Sequence, residues 1–176
     1  MRDSSKVRRV AGTGILFALA LVLQFAESLI PSPFPMAPGI KLGLSNIVTM
    51  FCLFSVGLRE TLLIAVLKGL FAFITRGPAA GILNLAGGAV SVLLMILMRK
   101  LKQSDGIISV TGAVGHNMGQ LAAECAMMKS AAALYYGPVL IISGVVMGTV
   151  TAYVLMALRP YLERVRGDDG GGQSDG

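Results

Sequence analysis

Residues 79–102 read AAGILNLAGGAVSVLLMILMRKLK, and this stretch decides the fold class. Its first part, 79–98, contains no charged side chain, whereas the last four residues are mostly basic. A hydrophobic stretch of about 20 residues is long enough to cross a bilayer as an α-helix. Arg and Lys directly after such a run are typical of a cytoplasmic loop. The stretch therefore predicts a transmembrane helix over 79–98.

The composition of the whole chain agrees with this stretch. The 176 residues are 55% hydrophobic and 14% charged, against roughly 45–50% apolar and about 25% charged in soluble domains. These values exclude an ordinary soluble enzyme, and so apolar a chain is not disordered. The net charge of +6 comes from basic clusters between apolar runs. It therefore indicates membrane topology and not a nucleic-acid partner.

Five further apolar runs flank this helix. We predict an all-α polytopic membrane protein, with a single domain over 1–166 and a disordered tail over 167–176, because the tail has no apolar residues. The proline-rich segment 31–39 cannot continue a helix, so it forms an ordered loop or a re-entrant cap. The six predicted spans are about 10–30, 41–56, 61–75, 79–98, 107–128 and 138–158.

The distribution of basic residues predicts the orientation. If the N-terminus is cytoplasmic, six spans place eleven Lys and Arg residues inside and three outside, with Lys68 within a span. Cytoplasmic loops of membrane proteins carry such an excess of positive charge. We therefore expect both termini to be cytoplasmic, in a compact six-helix bundle.

Motifs for catalysis or metal binding are missing from the sequence. Cys52 and Cys125 both lie in apolar runs without a CxxC spacing, and His116 is the single histidine. No Walker A, GxSxG or HExxH pattern occurs, and the acidic pair Asp168–Asp169 lies in the tail. We therefore expect no enzymatic activity, no metal and no cofactor.

Polar residues inside the predicted spans are the candidates for function, because ionisable groups are costly in a bilayer. His116, Gln120 and Glu124 share one face of the fifth span, and Lys68 lies in the middle of the third. These groups line a ligand cavity or, alternatively, form an internal hydrogen-bond network in which Lys68 pairs with Glu124 or Glu27. The candidate ligand-binding residues are Glu27, Lys41, Asn46, Lys68, Asn84, His116, Asn117, Gln120 and Glu124.

Three basic residues near the predicted outer surface make that rim positive: Lys41, Arg76 and Lys129. A basic rim over a polar cavity favours an anionic or carboxylate-bearing ligand. The alternative is that they are ordinary loop residues.

Small residues at helical spacing predict close helix contacts. One small face lies on the first span, with Gly12, Gly14 and Ala18, and GxxxG pairs lie on the fifth and sixth spans. These faces pack within one bundle, or the face on the first span docks a separate membrane partner.

Three short segments carry a family resemblance: PGIKLGLSN over 38–46, LAGG over 85–88 with Ser91, and GAVGHNMGQ over 112–120. Over about residues 8–160 the chain resembles the Gx transporter family, whose members also carry the name heptaprenyl diphosphate synthase component I. It is similar to the substrate-binding S-components of energy-coupling factor (ECF) vitamin transporters.

This resemblance implies a six-helix S-component fold with a ligand site near the outer face, capped by the first loop. It implies a bacterial cytoplasmic (inner) membrane protein that partners a membrane T-component and two cytoplasmic ATPases. Gly14 and Ala18 would form the docking surface for that module.

The leading hypothesis is a substrate-binding subunit for uptake of a small micronutrient or a cofactor or isoprenoid precursor. We expect His116→Ala or Asn117→Ala to weaken ligand binding. One alternative is a non-catalytic accessory subunit of a heptaprenyl diphosphate synthase. Another is a solitary proton-coupled carrier that uses Glu27, His116 and Glu124.

Overall fold

A computed structural model describes residues 2–29 and 45–167 of the chain. These residues form six α-helices and one short 3₁₀ helix, and no β-strand occurs in these two ranges. The all-α prediction is therefore confirmed. The helices are α1 (Arg2–Leu29), α2 (Asn46–Ser55), α3 (Leu58–Arg76), α4 (Pro78–Lys100), α5 (Asp105–Met128) and α6 (Gly137–Gly167), with the 3₁₀ helix at Ala132–Tyr136.

Each predicted span coincides with one of these helices, but the ends differ. α1 begins at Arg2 and not near residue 10, because nothing in the polar segment before the apolar run breaks a helix. α6 continues to Gly167, the residue at which the predicted tail begins. The proline-rich segment 31–39, predicted as an ordered loop or a re-entrant cap, and the rest of the predicted tail, 168–176, lie outside the described residues.

Three helical segments are long and apolar enough to cross a membrane: Val10–Leu29, Pro78–Lys100 and Ala132–Ala157. α2 has only 10 described residues, which is about 15 Å of helix against a hydrocarbon core of about 30 Å. α3 and α5 have 19 and 24 residues, but charged or polar side chains interrupt them. The chain is thus a membrane protein by its apolar helices, while the count of six spans and the orientation stay predictions.

The outside of the bundle is apolar, and its interior is mixed. Leu, Val, Ile and Phe side chains are exposed along the outer faces of α1, α3, α4 and α6. The interior holds an apolar core, with Met50, Leu53, Ile64 and Met95 among its members, together with buried Gln, Glu, Lys, Asn, Ser and His side chains. A lipid-exposed surface has to be apolar, since no water is present there to solvate polar groups. The polar side chains can therefore meet one another only in the interior.

The helices pack with α4 between α3 and α5, and with α6 on the other side of α5. α2 lies among α1, α3, α5 and α6, and α1 packs only against α2 and α3 among the described elements. α2 and α4 end close together, since Arg99 near the end of α4 donates to the Leu53 carbonyl near the end of α2. We call the opposite end of the bundle, at which α1 ends and α2 begins, the upper end.

Glycines bring α5 against both of its long neighbours. A Cβ at Gly119 would lie 2.9 Å from the carbonyl oxygen of Ala86 on α4, and a Cβ at Gly148 would lie 2.5 Å from the Cα of Val110. Both contacts are with backbone, so the helices touch without intervening side chains. The GxxxG pairs of α5 and α6 therefore serve packing within the bundle.

The small face of α1 behaves differently. A Cβ at Gly12 or Gly14 would meet no atom within 4 Å, and Ala18 is exposed. Nothing in the described part of the chain covers this face, so these small residues take no part in the helix contacts described above.

Candidate functional site

The centre of the candidate site is the Lys68 side chain, which is 3% exposed in the middle of α3. Its Nζ donates hydrogen bonds to Asn46 Oδ1 at 3.3 Å and to Thr49 Oγ1 at 3.1 Å. Asn46 and Thr49 stand at i and i+3 at the start of α2, so they present both oxygens on one side of that helix. The beginning of α2 is thus joined to the middle of α3 by one buried ammonium group.

α1 supplies a second layer of polar groups around Lys68. Gln24 Nε2 donates to the backbone carbonyl of Lys68 at 3.4 Å, and Gln24 Oε1 has no hydrogen-bond partner. Glu27, about one turn further along α1, is buried and interacts electrostatically with Lys68 and with Arg76 at the end of α3. Of the two internal pairings considered for Lys68, the structure favours the one with Glu27.

α4 and α5 form the opposite wall, and Gly87 determines how closely they approach. A Cβ at Gly87 would lie 2.8 Å from Gln120 Cγ and 3.0 Å from His116 Cε1. His116 is hydrogen-bonded to the Gly87 backbone and is within electrostatic range of Lys68. Its Nδ1 has no hydrogen-bond partner. Only glycine at this position lets the imidazole lie against the α4 backbone.

Asn84 and Glu124 lie on the same two helices, closer to the upper end. α4 and α5 run antiparallel, because Gly112 meets Met95 while Gly87 meets His116 and Gln120. Asn84 is about one turn above Gly87, and Glu124 is one turn above Gln120, so the two lie at a similar level. Both are more than nine-tenths buried.

Asn117 is directed to a different neighbour. Its Nδ2 donates to the Leu140 carbonyl at 2.9 Å and to Ser143 Oγ at 3.2 Å, both on α6. Its Oδ1 has no partner. The structure therefore joins Asn117 to the α5–α6 contact and not to the polar groups around Lys68.

Nine ligand-binding residues were predicted, and eight lie in the described ranges, all buried. Lys68 interacts with Glu27, Asn46 and His116, which come from three other helices. Lys41 lies outside the described residues. Of the other rim residues, Arg76 is half-buried near Glu27 and Lys129 is an exposed, left-handed cap of α5.

Gln24 and Thr49 belong to this cluster but were not predicted as site residues, and neither was Ser91, a further buried polar side chain on α4. Gln24 is 3% exposed, Thr49 is 2% and Ser91 is 1%. Thr49 lies three residues after Asn46, and Ser91 lies seven residues after Asn84. Helical spacing therefore places each of them on the same helix face as a residue that was predicted. Serine and threonine are common in membrane helices, however, because their hydroxyls can bond to the backbone of their own helix.

No metal centre is evident in the described ranges, because they contain no cluster of three or more His, Cys, Asp or Glu side chains. The polar cluster consists instead of one lysine, one histidine, two glutamates on different helices and several amide and hydroxyl groups. Such a mixture is suited to binding a small polar molecule by hydrogen bonds.

A family model described as heptaprenyl diphosphate synthase component I matches residues 16–158. The chain belongs to this family. The match covers all the helical segments that contribute to the polar cluster, and it confirms the resemblance found in the sequence. The name component I implies that members act with a partner subunit. No curated protein and no solved structure matches the chain.

Proposed function

We propose that this protein is an S-component-like, substrate-binding membrane subunit of an energy-coupled uptake transporter. The observation that carries the proposal is the buried polar cluster around Lys68, in which Gln24 Oε1 and His116 Nδ1 lack hydrogen-bond partners. A membrane bundle needs no unpartnered acceptors for stability, since each one lowers stability. A bound small micronutrient, or a cofactor or isoprenoid precursor, that donates hydrogen bonds to these acceptors would explain why they are present.

The open small face of α1 supports a partner in the membrane. Gly14 has open space beside it and Ala18 is exposed, whereas the GxxxG glycines of α5 and α6 are in contact with neighbouring helices of the bundle. Small residues allow helices to approach closely in lipid. A membrane T-component, driven by two cytoplasmic ATPases, would dock on Gly14 and Ala18. The location would be the bacterial inner membrane.

A second candidate is a non-catalytic membrane accessory subunit of a heptaprenyl diphosphate synthase. The family description favours it, because a component I requires a further subunit. Synthesis of a prenyl chain needs carboxylates that hold Mg²⁺ against a diphosphate, and the described residues contain no such acidic cluster. The catalytic groups would then belong to the partner subunit.

Native mass spectrometry of the protein purified from its own membranes tests these functions together. We expect wild type to carry a small molecule and membrane partners. Gly14→Leu should lose the partners and keep the small molecule, while His116→Ala should do the opposite. Val146→Leu is the matched control, because it adds bulk at an exposed position of α6.

The outcomes separate the candidates. A soluble, aspartate-rich partner and no small molecule would select the synthase subunit. Transport by the protein alone in liposomes, driven by a pH gradient, would select the proton-coupled carrier. Retention of the small molecule by His116→Ala would remove that residue from the site.

A further inference from the structure

The unpartnered atoms of the buried cluster give information about the ligand. Gln24 Oε1, His116 Nδ1 and Ser91 Oγ have no hydrogen-bond partner, and all three side chains are at most 3% exposed. Buried polar atoms in native proteins are nearly always paired, so each exception calls for an explanation. A bound molecule that pairs with these atoms is such an explanation. Whether the unpartnered protein atoms are acceptors or donors then indicates which hydrogen-bonding groups the molecule carries.

Two of the three atoms are acceptors. The amide nitrogen of Gln24 is used on the Lys68 carbonyl, which leaves the Gln24 carbonyl oxygen. His116 interacts with the Gly87 backbone, and Nδ1 is the ring nitrogen without a partner. When Nε2 donates to a carbonyl, Nδ1 of the neutral ring is an acceptor. The Glu124 carboxylate, buried on the same face of α5, adds acceptor oxygens.

The buried positive charge is already in use. Lys68 donates two of its three protons to Asn46 and Thr49, and Glu27 balances its charge. Arg76 is only half-buried and also interacts with Glu27. Among the described residues, the buried basic and acidic side chains are one lysine, one histidine and the two glutamates Glu27 and Glu124. This set offers no unpaired cation to a phosphate or a carboxylate.

We infer that the site binds a neutral or cationic molecule whose N–H and O–H groups donate to Gln24 and His116, and not a diphosphate or a carboxylate. This inference rests on the proposed function and specifies the class of its substrate. It differs from the expectation of an anionic ligand, which rested on the rim residues Lys41, Arg76 and Lys129. It also separates the bound molecule from prenyl diphosphates.

The test reads the chemistry of the bound molecule directly. The full-length protein and its variants are purified in parallel, denatured, and the released small molecules are identified by mass spectrometry. His116→Leu removes the acceptor and His116→Gln keeps one, and Glu124→Gln removes a charge without changing shape. Ser109→Ala is the control, because its hydroxyl bonds to the Gly148 carbonyl within the α5–α6 contact.

We expect wild type and Ser109→Ala to release a molecule with several N–H or O–H groups and no net negative charge. His116→Leu should release about tenfold less of it, in line with the loss of one buried hydrogen bond, and His116→Gln should recover part. If the molecule is cationic, Glu124→Gln should also release less of it than wild type. If His116→Leu does not fold, the Glu124→Gln and His116→Gln comparisons carry the test.

Two results would overturn the inference. Release of a phosphorylated or carboxylate-bearing molecule would refute the substrate class while leaving the proposed function in place. Release of no small molecule from wild type would contradict the proposed function itself, and the inference with it.

Discussion

Replacing Lys68 by methionine tests whether the buried ammonium group compensates the Glu27 carboxylate. Methionine fills a similar volume but has neither the charge nor the donors. Lys68→Met would break the hydrogen bonds to Asn46 at 3.3 Å and to Thr49 at 3.1 Å. It would also leave Glu27, which is 4% exposed, with the half-buried Arg76 as its remaining opposite charge.

The two effects differ in size. Side-chain hydrogen bonds between membrane helices average roughly 0.6 kcal/mol and reach about 1.7 kcal/mol, so two of them account for about 1–3 kcal/mol. Removing one partner of a buried ion pair costs about 3–5 kcal/mol, because the other charge stays buried. We therefore expect Lys68→Met to lower the free energy of unfolding by about 3–5 kcal/mol. The double variant Glu27→Gln/Lys68→Met should lose only about 1–3 kcal/mol.

The assay is reversible unfolding in mixed micelles followed by far-UV circular dichroism, which suits a helical chain without tryptophan. Thr49→Val is a control that removes one hydrogen bond and no charge. A loss below about 1 kcal/mol for Lys68→Met would show that the ammonium group is solvated or unpaired. A double variant less stable than Lys68→Met would show that Glu27 is not its partner.

Three further predictions concern packing. Gly148→Ala should lower the free energy of unfolding by about 1–3 kcal/mol, because its Cβ would clash with the α5 backbone. Gly12→Ala is the control, since Gly12 lies in open space, and it should change the free energy of unfolding by less than about 0.5 kcal/mol. Equal effects of the two substitutions would contradict the packing. Asn117→Ala should cost about 1–2 kcal/mol by removing two hydrogen bonds to α6, measured in the same unfolding assay; a neutral result would show that these bonds do not form. Arg99→Gln should lower the free energy of unfolding by about 0.5–2 kcal/mol, because the guanidinium donates to the Leu53 carbonyl at 3.2 Å and lies 5.9 Å from the centre of the Phe54 ring. Amide hydrogen exchange in the last turn of α2 should become faster. Unchanged exchange would contradict the contact.

The location of each helix could be predicted from the sequence, because apolar runs and the Gly, Pro and charged residues between them are local signals. The exact ends could not be predicted in the same way. The polar start of α1 has no helix breaker, so the helix begins at Arg2 and not at the start of the apolar run. At α6 the helix continues through Pro160 to Gly167, well beyond the apolar residues.

The candidate site could be predicted in part. Lys68, His116 and Glu27 were found because an ionisable side chain within an apolar run is itself conspicuous. Thr49, which accepts a hydrogen bond from Lys68, was harder to find, because threonine is common in membrane helices and carries no such signal. Asn117 shares the α5 strip in the sequence, but its hydrogen bonds lie on the α6 side.

The sequence by itself determined that this is a helical membrane protein, where its helices lie, and which side chains are too polar to face lipid. Those properties depend on each residue and its neighbours in the chain, since transfer to lipid and helix breaking are local effects. Only the tertiary structure decided which small faces are used for packing and which polar atoms stay unpaired. Gly14 and Gly144 have the same side chain, yet one lies in open space and the other against Val114. That difference arises from which helices are neighbours, and residues far apart in the chain set it together.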